Sequence, residues 1–253
     1  MRRFWLMLQS VTHLLATDLD GTLVGDEAAL LALLHYYSEQ PYNVALIYST
    51  GRYLSSALSL LEKEKLPRPD ILITDVGTEI YYGDDLRPDE GWRRYIEAHW
   101  SPMEIKRIVS ACEGLVPQDI PVHRRLSYTI QDLAVVEKLE ASLKKARIPH
   151  KLIVSSGRDV DILPPVGGKG EALQYVLKTH GLCNANVLVA GDSGNDHEMI
   201  TLGYPAVIVG NAQQELLTLE EHPLIFRAKK ACAGGIHEAW EHFYGIKNSA
   251  SLS

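Results

Sequence analysis

The chain has 253 residues, 46% of them hydrophobic and 23% charged, with a formal net charge of −7. That is enough chain for one large or two modest globular domains, and the negative balance argues against a nucleic-acid partner, which needs a concentrated positive surface. Cys112, Cys183 and Cys232 lie far apart without a C-x-x-C pair, which disfavours a zinc ribbon or disulfide framework and fits a reducing cytoplasm.

The start, "MRRFWLMLQSVTHLLA", imitates a signal peptide, with Arg2 and Arg3 before an apolar stretch. Gln9, Ser10, Thr12 and His13 interrupt it, and cleavage after Ala16 would remove the strand that follows. The expected reading is an N-terminal extension before a first strand, "HLLAT", which runs up to Asp18. No run reaches the roughly 18 apolar residues of a membrane span. Ala29, Leu30, Leu33 and Leu34 are spaced for one helix face. A strand "NVALIY" (43–48), a helix carrying Leu54, Ala57, Leu58 and Leu61, and a strand "ILIT" (71–74) follow. Later, "NVLVA" (186–190) and "PAVIV" (205–209) each precede a short helix. Alternating continuous apolar strands and helices predict a parallel sheet covered on both faces, with its chemistry at the carboxyl ends of the strands.

The middle has a different rhythm. "EIYYG" (79–83), "RLSYTI" (125–130), "HKLIVSS" (150–156) and "DVDIL" (159–163) read as antiparallel strands, and "PMEIKRIVSAC" and "AVVEKLEASLKKA" as amphipathic helices. The expected organisation is a Rossmann-like α/β domain formed by residues 1–83 and 163–253, with an α+β insertion over 84–162. The tail "KNSASLS" reads as frayed.

Four segments carry the chemistry. In "DLDGT" (18–22), two carboxylates stand close together at the end of a buried strand. Their repulsion and desolvation need compensation, which a hard divalent cation can supply and solvent at a polar turn can also supply. In "VLVAGDSGND" (187–196) another strand ends in Asp192 and Asp196, with Asn195 between them. Alone it could be a capped loop, but the two segments together place four acids at the ends of two strands, as a Mg2+ site would use them. In "IYSTGR" (47–52), Ser49 and Thr50 offer hydroxyls, and Gly51 and Arg52 offer amide donors, at a helix start. That suits a phosphate and equally an ordinary N-cap. In "GGKGEALQYVL" (167–177), Lys169 precedes a helix, a mildly unfavourable place for a cation, by roughly 0.3–1 kcal/mol, unless an anion is near. This is not a Walker A loop, since Leu163 replaces the first Gly and Gly170 the Ser or Thr. Assembled at one sheet edge, these parts describe phosphoryl transfer to a carboxylate. Asp18 is the nucleophile, Asp20 the acid and then the base, and Lys169 and Thr50 neutralise the phosphoryl oxygens.

The order "DLDGT", "STGR", Lys169, "GDSGND" resembles the haloacid dehalogenase superfamily of phosphohydrolases, and the insertion looks like its C2-type cap. The resemblance covers nearly the whole chain. It implies Mg2+ held by Asp18, the Asp20 main-chain carbonyl and Asp192, with Asp196 nearby or acting through water. Within the superfamily, "VGTEIYYG", "GWRRYIEAHW", "SSGRDVDILP", "KG" (169–170) and "VIVGNAQQELL" look like the sucrose-phosphatase family. That resemblance implies hydrolysis of a sugar phosphate, sucrose 6-phosphate first, and substrate contacts from Glu79, Arg125, Tyr128, Arg158, Asp159, Asp161 and Asn195. It also allows association with a sugar-phosphate synthase; the chain is expected to be a cytoplasmic monomer. Alternatives are mannosylfructose-phosphate, glycosylglycerate-phosphate or another sugar phosphate as substrate, a phosphomutase, and a non-catalytic sugar-phosphate binder. Two departures from the sucrose-phosphatase pattern are Gly21 after "DLD", where many of that family have Asn or His, and Cys232, where it often has His.

Overall fold

The computed structural model describes residues 11–245. Most of the expected N-terminal extension and the expected frayed tail lie outside these residues. The elements run β1 (His13–Thr17), α1 (Glu27–Ser38), β2 (Val44–Ser49), α2 (Leu54–Lys63), β3 (Ile71–Thr74), β4 (Glu79–Tyr82), β5 (Arg87–Pro88), α3 (Glu90–Ala98), α4 (Pro102–Val109), β6 (Val116–Pro117) and β7 (Leu126–Thr129). They continue with α5 (Ala134–Lys145), β8 (Lys151–Ser155), β9 (Asp159–Leu163), α6 (Lys169–Thr179), β10 (Asn186–Gly191), α7 (His197–Ile200), β11 (Ala206–Ile208), α8 (Gln214–Leu217), β12 (Ile225–Arg227) and α9 (Cys232–Tyr244).

The larger sheet has the order β12-β11-β10-β1-β2-β3-β4-β5. It is parallel from β12 to β3, and β4 and β5 extend it antiparallel. Strand periodicity divides its side chains between two cores. Leu14 and Ala16 join Val187, Val189 and the inner faces of α3 and α6, whereas Leu15 and Leu188 join α1, α2 and α9. Being buried on both faces, β1 must be a continuous apolar run, as its sequence is. Asp26 caps α1 by accepting the Ala29 amide at 3.0 Å.

The smaller sheet, β6-β7-β9-β8, is antiparallel. Helices α4 and α5 close its core through Ile105, Val109, Leu139 and Leu143. The chain leaves the larger sheet later than the expected residue 84, because β5 pairs with β4, and Trp92 and Ile96 of α3 are buried in the large core. It also returns after β9, which belongs wholly to the smaller sheet. We propose an insertion running from about residue 99 to residue 163, in place of 84–162, on these packing grounds.

Trp240, fully buried in α9, fills the α1/α2 side of the large core, and its indole donates to the Tyr42 hydroxyl at 3.3 Å. Trp240→Ala should cost about 3–5 kcal/mol through the cavity it leaves. Urea unfolding followed by circular dichroism measures this.

Candidate active site

The register of the large sheet brings the sequence segments together. Thr17 on β1 lies beside Tyr48 on β2 and Ala190 on β10. The next residues along, Asp18, Ser49 and Gly191, therefore emerge at one carboxyl edge. Asp18 donates its amide to the Ala190 carbonyl at 3.0 Å, and its side chain is almost fully buried. Lys169, the first residue of α6, has no exposed surface and projects its ammonium into the same edge. It donates to Asp18 Oδ1 at 2.6 Å and to Asp196 Oδ1 at 2.8 Å. The other oxygen of Asp196 accepts the amides of Asp192 and Ser193, at 3.0 and 3.2 Å. Asp192 accepts the Thr22 hydroxyl at 3.0 Å.

Carboxylate oxygens of Asp18, Asp192 and Asp196 all lie within 4.8 Å of one another. One ammonium does not neutralise three buried carboxylates. Burial pushes the Asp18 carboxyl well above the ordinary range. Lys169 pulls it down, but Asp196 and Asp192 raise it further. Burial and the neighbouring Asp196 likewise bring Asp192 up to about 6. Lys169 is held protonated by Asp18 and Asp196 despite its burial. This excess of negative charge and the hard oxygen donors fit a divalent cation such as Mg2+. Asp18 and Asp192 have the freer oxygens. Asp196, bonded by Lys169 and two amides, is the more occupied acid.

The remaining expected residues are placed as follows. Asp20 stands outside the cluster. Its exposed carboxylate forms a fork with Arg52, whose Nε and Nη2 donate at 2.6 and 2.8 Å. Thr50 is buried in the loop after β2, where its hydroxyl accepts the Arg52 amide at 3.1 Å. The Ser49 hydroxyl is buried without a hydrogen-bond partner among the described residues. The Asn195 amide nitrogen approaches this loop, 3.6 Å from where a Cβ on Gly51 would stand. Arg125 reaches from the smaller sheet to donate to the Gly51 carbonyl and to Asp161 Oδ1, each at 2.8 Å. Glu79 is buried and salt-bridged by Arg93 at 2.8 Å and by Arg124. Tyr128 is packed in the core of the smaller sheet. Arg158 is largely exposed and lies 3.5 Å from Asp159, which also accepts from Gln118 at 3.0 Å. The structure thus brings Asp18, Lys169, Asp192 and Asp196 into mutual contact, whereas Arg158, Asp159 and Tyr128 sit away from that cradle, within the insertion's own contacts.

Sequence reasoning passed over Thr22, Asp75 and Arg124. Thr22 lies within the quoted "DLDGT", and Arg124 is adjacent to a residue that was singled out. Asp75 is buried, faces Arg125 Nε at 3.6 Å, and is pushed up by burial to about 6. Its only signal was an acid directly after an apolar strand. Gly21 has a physical reason here. Its φ is +79°, and a Cβ would stand 2.6 Å from Asp192 Oδ2.

The Sucrose-6F-phosphate phosphohydrolase family matches residues 11–244. The chain belongs to this family. Its fold is also that of yhjK of Bacillus subtilis, a haloacid dehalogenase-like hydrolase protein, with a TM-score of 0.64 and 23% identity, covering 94% of each chain. Within the family the chain is similar to Probable sucrose-phosphatase 1 of Arabidopsis thaliana, 36% identical over 91% of this chain and 59% of that protein. The chain therefore spans about three-fifths of the plant relatives it matches. It is 32% identical to the Mannosylfructose-phosphate phosphatase of Agrobacterium fabrum, over 91% of this chain and 96% of the other. Its fold matches the sucrose-phosphatase of Synechocystis sp., solved in complex with sucrose and phosphate, with a TM-score of 0.87 and 37% identity, covering 92% of this chain and 98% of that one.

Asp75 and Asp192 hold protons in the folded protein up to about pH 6 that the unfolded chain releases near 3.8. Below both values the two groups' contribution is full and does not vary with pH; between them folding binds protons, so stability falls as pH rises through this window. Without metal, the protein should melt at a lower temperature at pH 7.5 than at pH 5. Mg2+ should raise the melting temperature, and more at pH 7.5, because protonated carboxyls bind it poorly. Differential scanning calorimetry at both pH values, with EDTA and with Mg2+, measures this.

Proposed function

We propose that this protein is a Mg2+-dependent phosphohydrolase that releases phosphate from a sugar phosphate, with sucrose 6-phosphate as the first candidate. One observation carries the reading: the buried Lys169 ammonium is shared between Asp18 and Asp196 at the end of the central strand. Such a lysine serves an anion that arrives beside a carboxylate. Asp18 Oδ2 attacks phosphorus, and the bond from phosphorus to the sugar oxygen breaks. Asp20 delivers a proton to the departing sugar oxygen, then takes one from the water that attacks the aspartyl-phosphate. That second attack breaks the bond between phosphorus and Asp18 and restores the carboxylate.

Asp20 is tied to Arg52 until phosphate competes for the guanidinium, which frees the acid beside the leaving group. Lys169, the Thr50 hydroxyl and the Gly51 and Arg52 amides would then surround the phosphoryl oxygens. Asp18 and Asp192 would hold Mg2+, which supplies positive charge that keeps Asp18 ionised and polarises the phosphoryl group. The insertion lies across this edge through Arg124 and Arg125, where it can shut out water and select the leaving group. Arg125, Arg158, Asp159 and Asp161 on the insertion, with Glu79 and Asn195 outside it, are the candidates for sugar and phosphate contacts.

Mannosylfructose-phosphate is the second candidate, supported by the Agrobacterium relative's coverage at nearly full length. Three free cysteines among the described residues fit the expected cytoplasmic setting. Among the described residues, no helix is long and apolar enough to cross a membrane.

The test is inorganic phosphate release from a panel of sugar phosphates, with and without Mg2+. Release from sucrose 6-phosphate only with Mg2+ is expected. Interconversion of isomers without release would mark a mutase, and turnover confined to monosaccharide phosphates would displace the disaccharide reading. Asp18→Asn should lower turnover by roughly a thousandfold or more while unfolding stays cooperative.

A further inference from the structure

Three consecutive residues between β3 and β4 occupy the left-handed region: Asp75 at φ +56°, Val76 at +54° and Gly77 at +85°. A β-branched residue there is a true outlier and persists only where its surroundings over-determine it. The surroundings are the parts of the candidate site. The Asp75 and Val76 amides donate to the Arg52 and Thr50 carbonyls, at 2.9 and 3.2 Å. The Gly77 carbonyl accepts the Trp92 indole at 3.1 Å, and a Cβ on Gly77 would stand 2.2 Å from the Gly168 carbonyl, next to Lys169. The strained turn therefore touches both the Thr50–Arg52 loop and the approach to Lys169.

It meets the insertion through a charged pair. Asp75 Oδ2 accepts the Thr74 hydroxyl at 2.8 Å, and Oδ1 is buried without a hydrogen-bond partner among the described residues. Arg125 Nε, buried and equally unpartnered, lies 3.6 Å from that oxygen. The rest of the same guanidinium joins the Gly51 carbonyl of the larger domain to Asp161 of the insertion. Two buried polar atoms that lack partners and face each other across an interface gain a charge-assisted hydrogen bond from a closure of well under 1 Å.

We propose that Asp75 is a positioning residue that holds Arg125 as a latch, seating the insertion over the Thr50–Arg52 loop when a sugar phosphate is bound. The inference rests on the phosphohydrolase reading and adds to it a residue that acts through Arg125 and not on the substrate. Substrates that fill the space under the insertion need the latch, whereas a phosphate too small to reach the insertion does not.

The experiment compares wild type, D75N, R125A and the double variant on sucrose 6-phosphate and on acetyl phosphate. D75N should raise KM for the sugar phosphate by about tenfold, with kcat changing less and acetyl phosphate turnover within about twofold of wild type. R125A should lose at least as much on the sugar phosphate, and the double variant no more than R125A alone, because the two residues act as one unit. An unchanged KM in D75N, equal losses on both substrates, or losses that multiply would overturn the latch. If wild type hydrolyses no sugar phosphate, the functional reading fails, and the latch is then judged by amide exchange. R125A, on the insertion, should speed exchange of the Asp75 and Val76 amides by about tenfold, and unchanged exchange would overturn it.

Discussion

The structure depends on one buried cation. Lys169 has no exposed surface, and its ammonium is satisfied by carboxylates of two other segments. An amine so buried would lose its proton without those partners, and the acids would repel one another without the amine. The contact joins residues 151 positions apart, and it sets where α6 begins relative to β1 and β10. Among the described residues the remaining negative charge is not cancelled. Three acids around one ammonium could hold a cation, and the same few residues thus define both the electrostatics and the proposed chemistry.

The second organising element is the turn at 75–77. Its left-handed backbone costs free energy in isolation, of order 1–3 kcal/mol per residue for the non-glycine positions. The cost is offset by two backbone hydrogen bonds to the loop after β2, the Trp92 indole on Gly77, and tight packing against Gly168. The turn thereby ties the Thr50–Arg52 loop to the start of α6 and presents Asp75 to the insertion.

Much of this was legible in the sequence because strands buried on both faces must be written as apolar runs. β1, β2, β3 and β10 stand out on that basis, and the acids that end β1 and β10 stand out by contrast. α3 was hidden because "GWRRYIEA" exposes most of its side chains and buries only Trp92 and Ile96. α9 was hidden because it opens on Cys-Ala-Gly-Gly, poor in helix formers and without a side-chain cap, and takes its stability from packing of Ile236 and Trp240. β5 and β12 are too short to carry a period. The contacts of single side chains were the least legible. Nothing in "SSGRDVDILP" separates Asp161, whose partner Arg125 also donates across to the Gly51 carbonyl beside the larger sheet, from Asp159, which accepts from Gln118. Such pairings depend on the angle at which two sheets meet, and no local pattern encodes it.

The chain enters the insertion after the antiparallel margin of the large sheet and returns through β9, while β1 sits four strands inward from β5, bonded on both sides by parallel neighbours. The two regions thus rest on separate sheets. A substitution in the inserted layer can change the surface it presents to the carboxyl edge without disturbing the strand that bears Asp18.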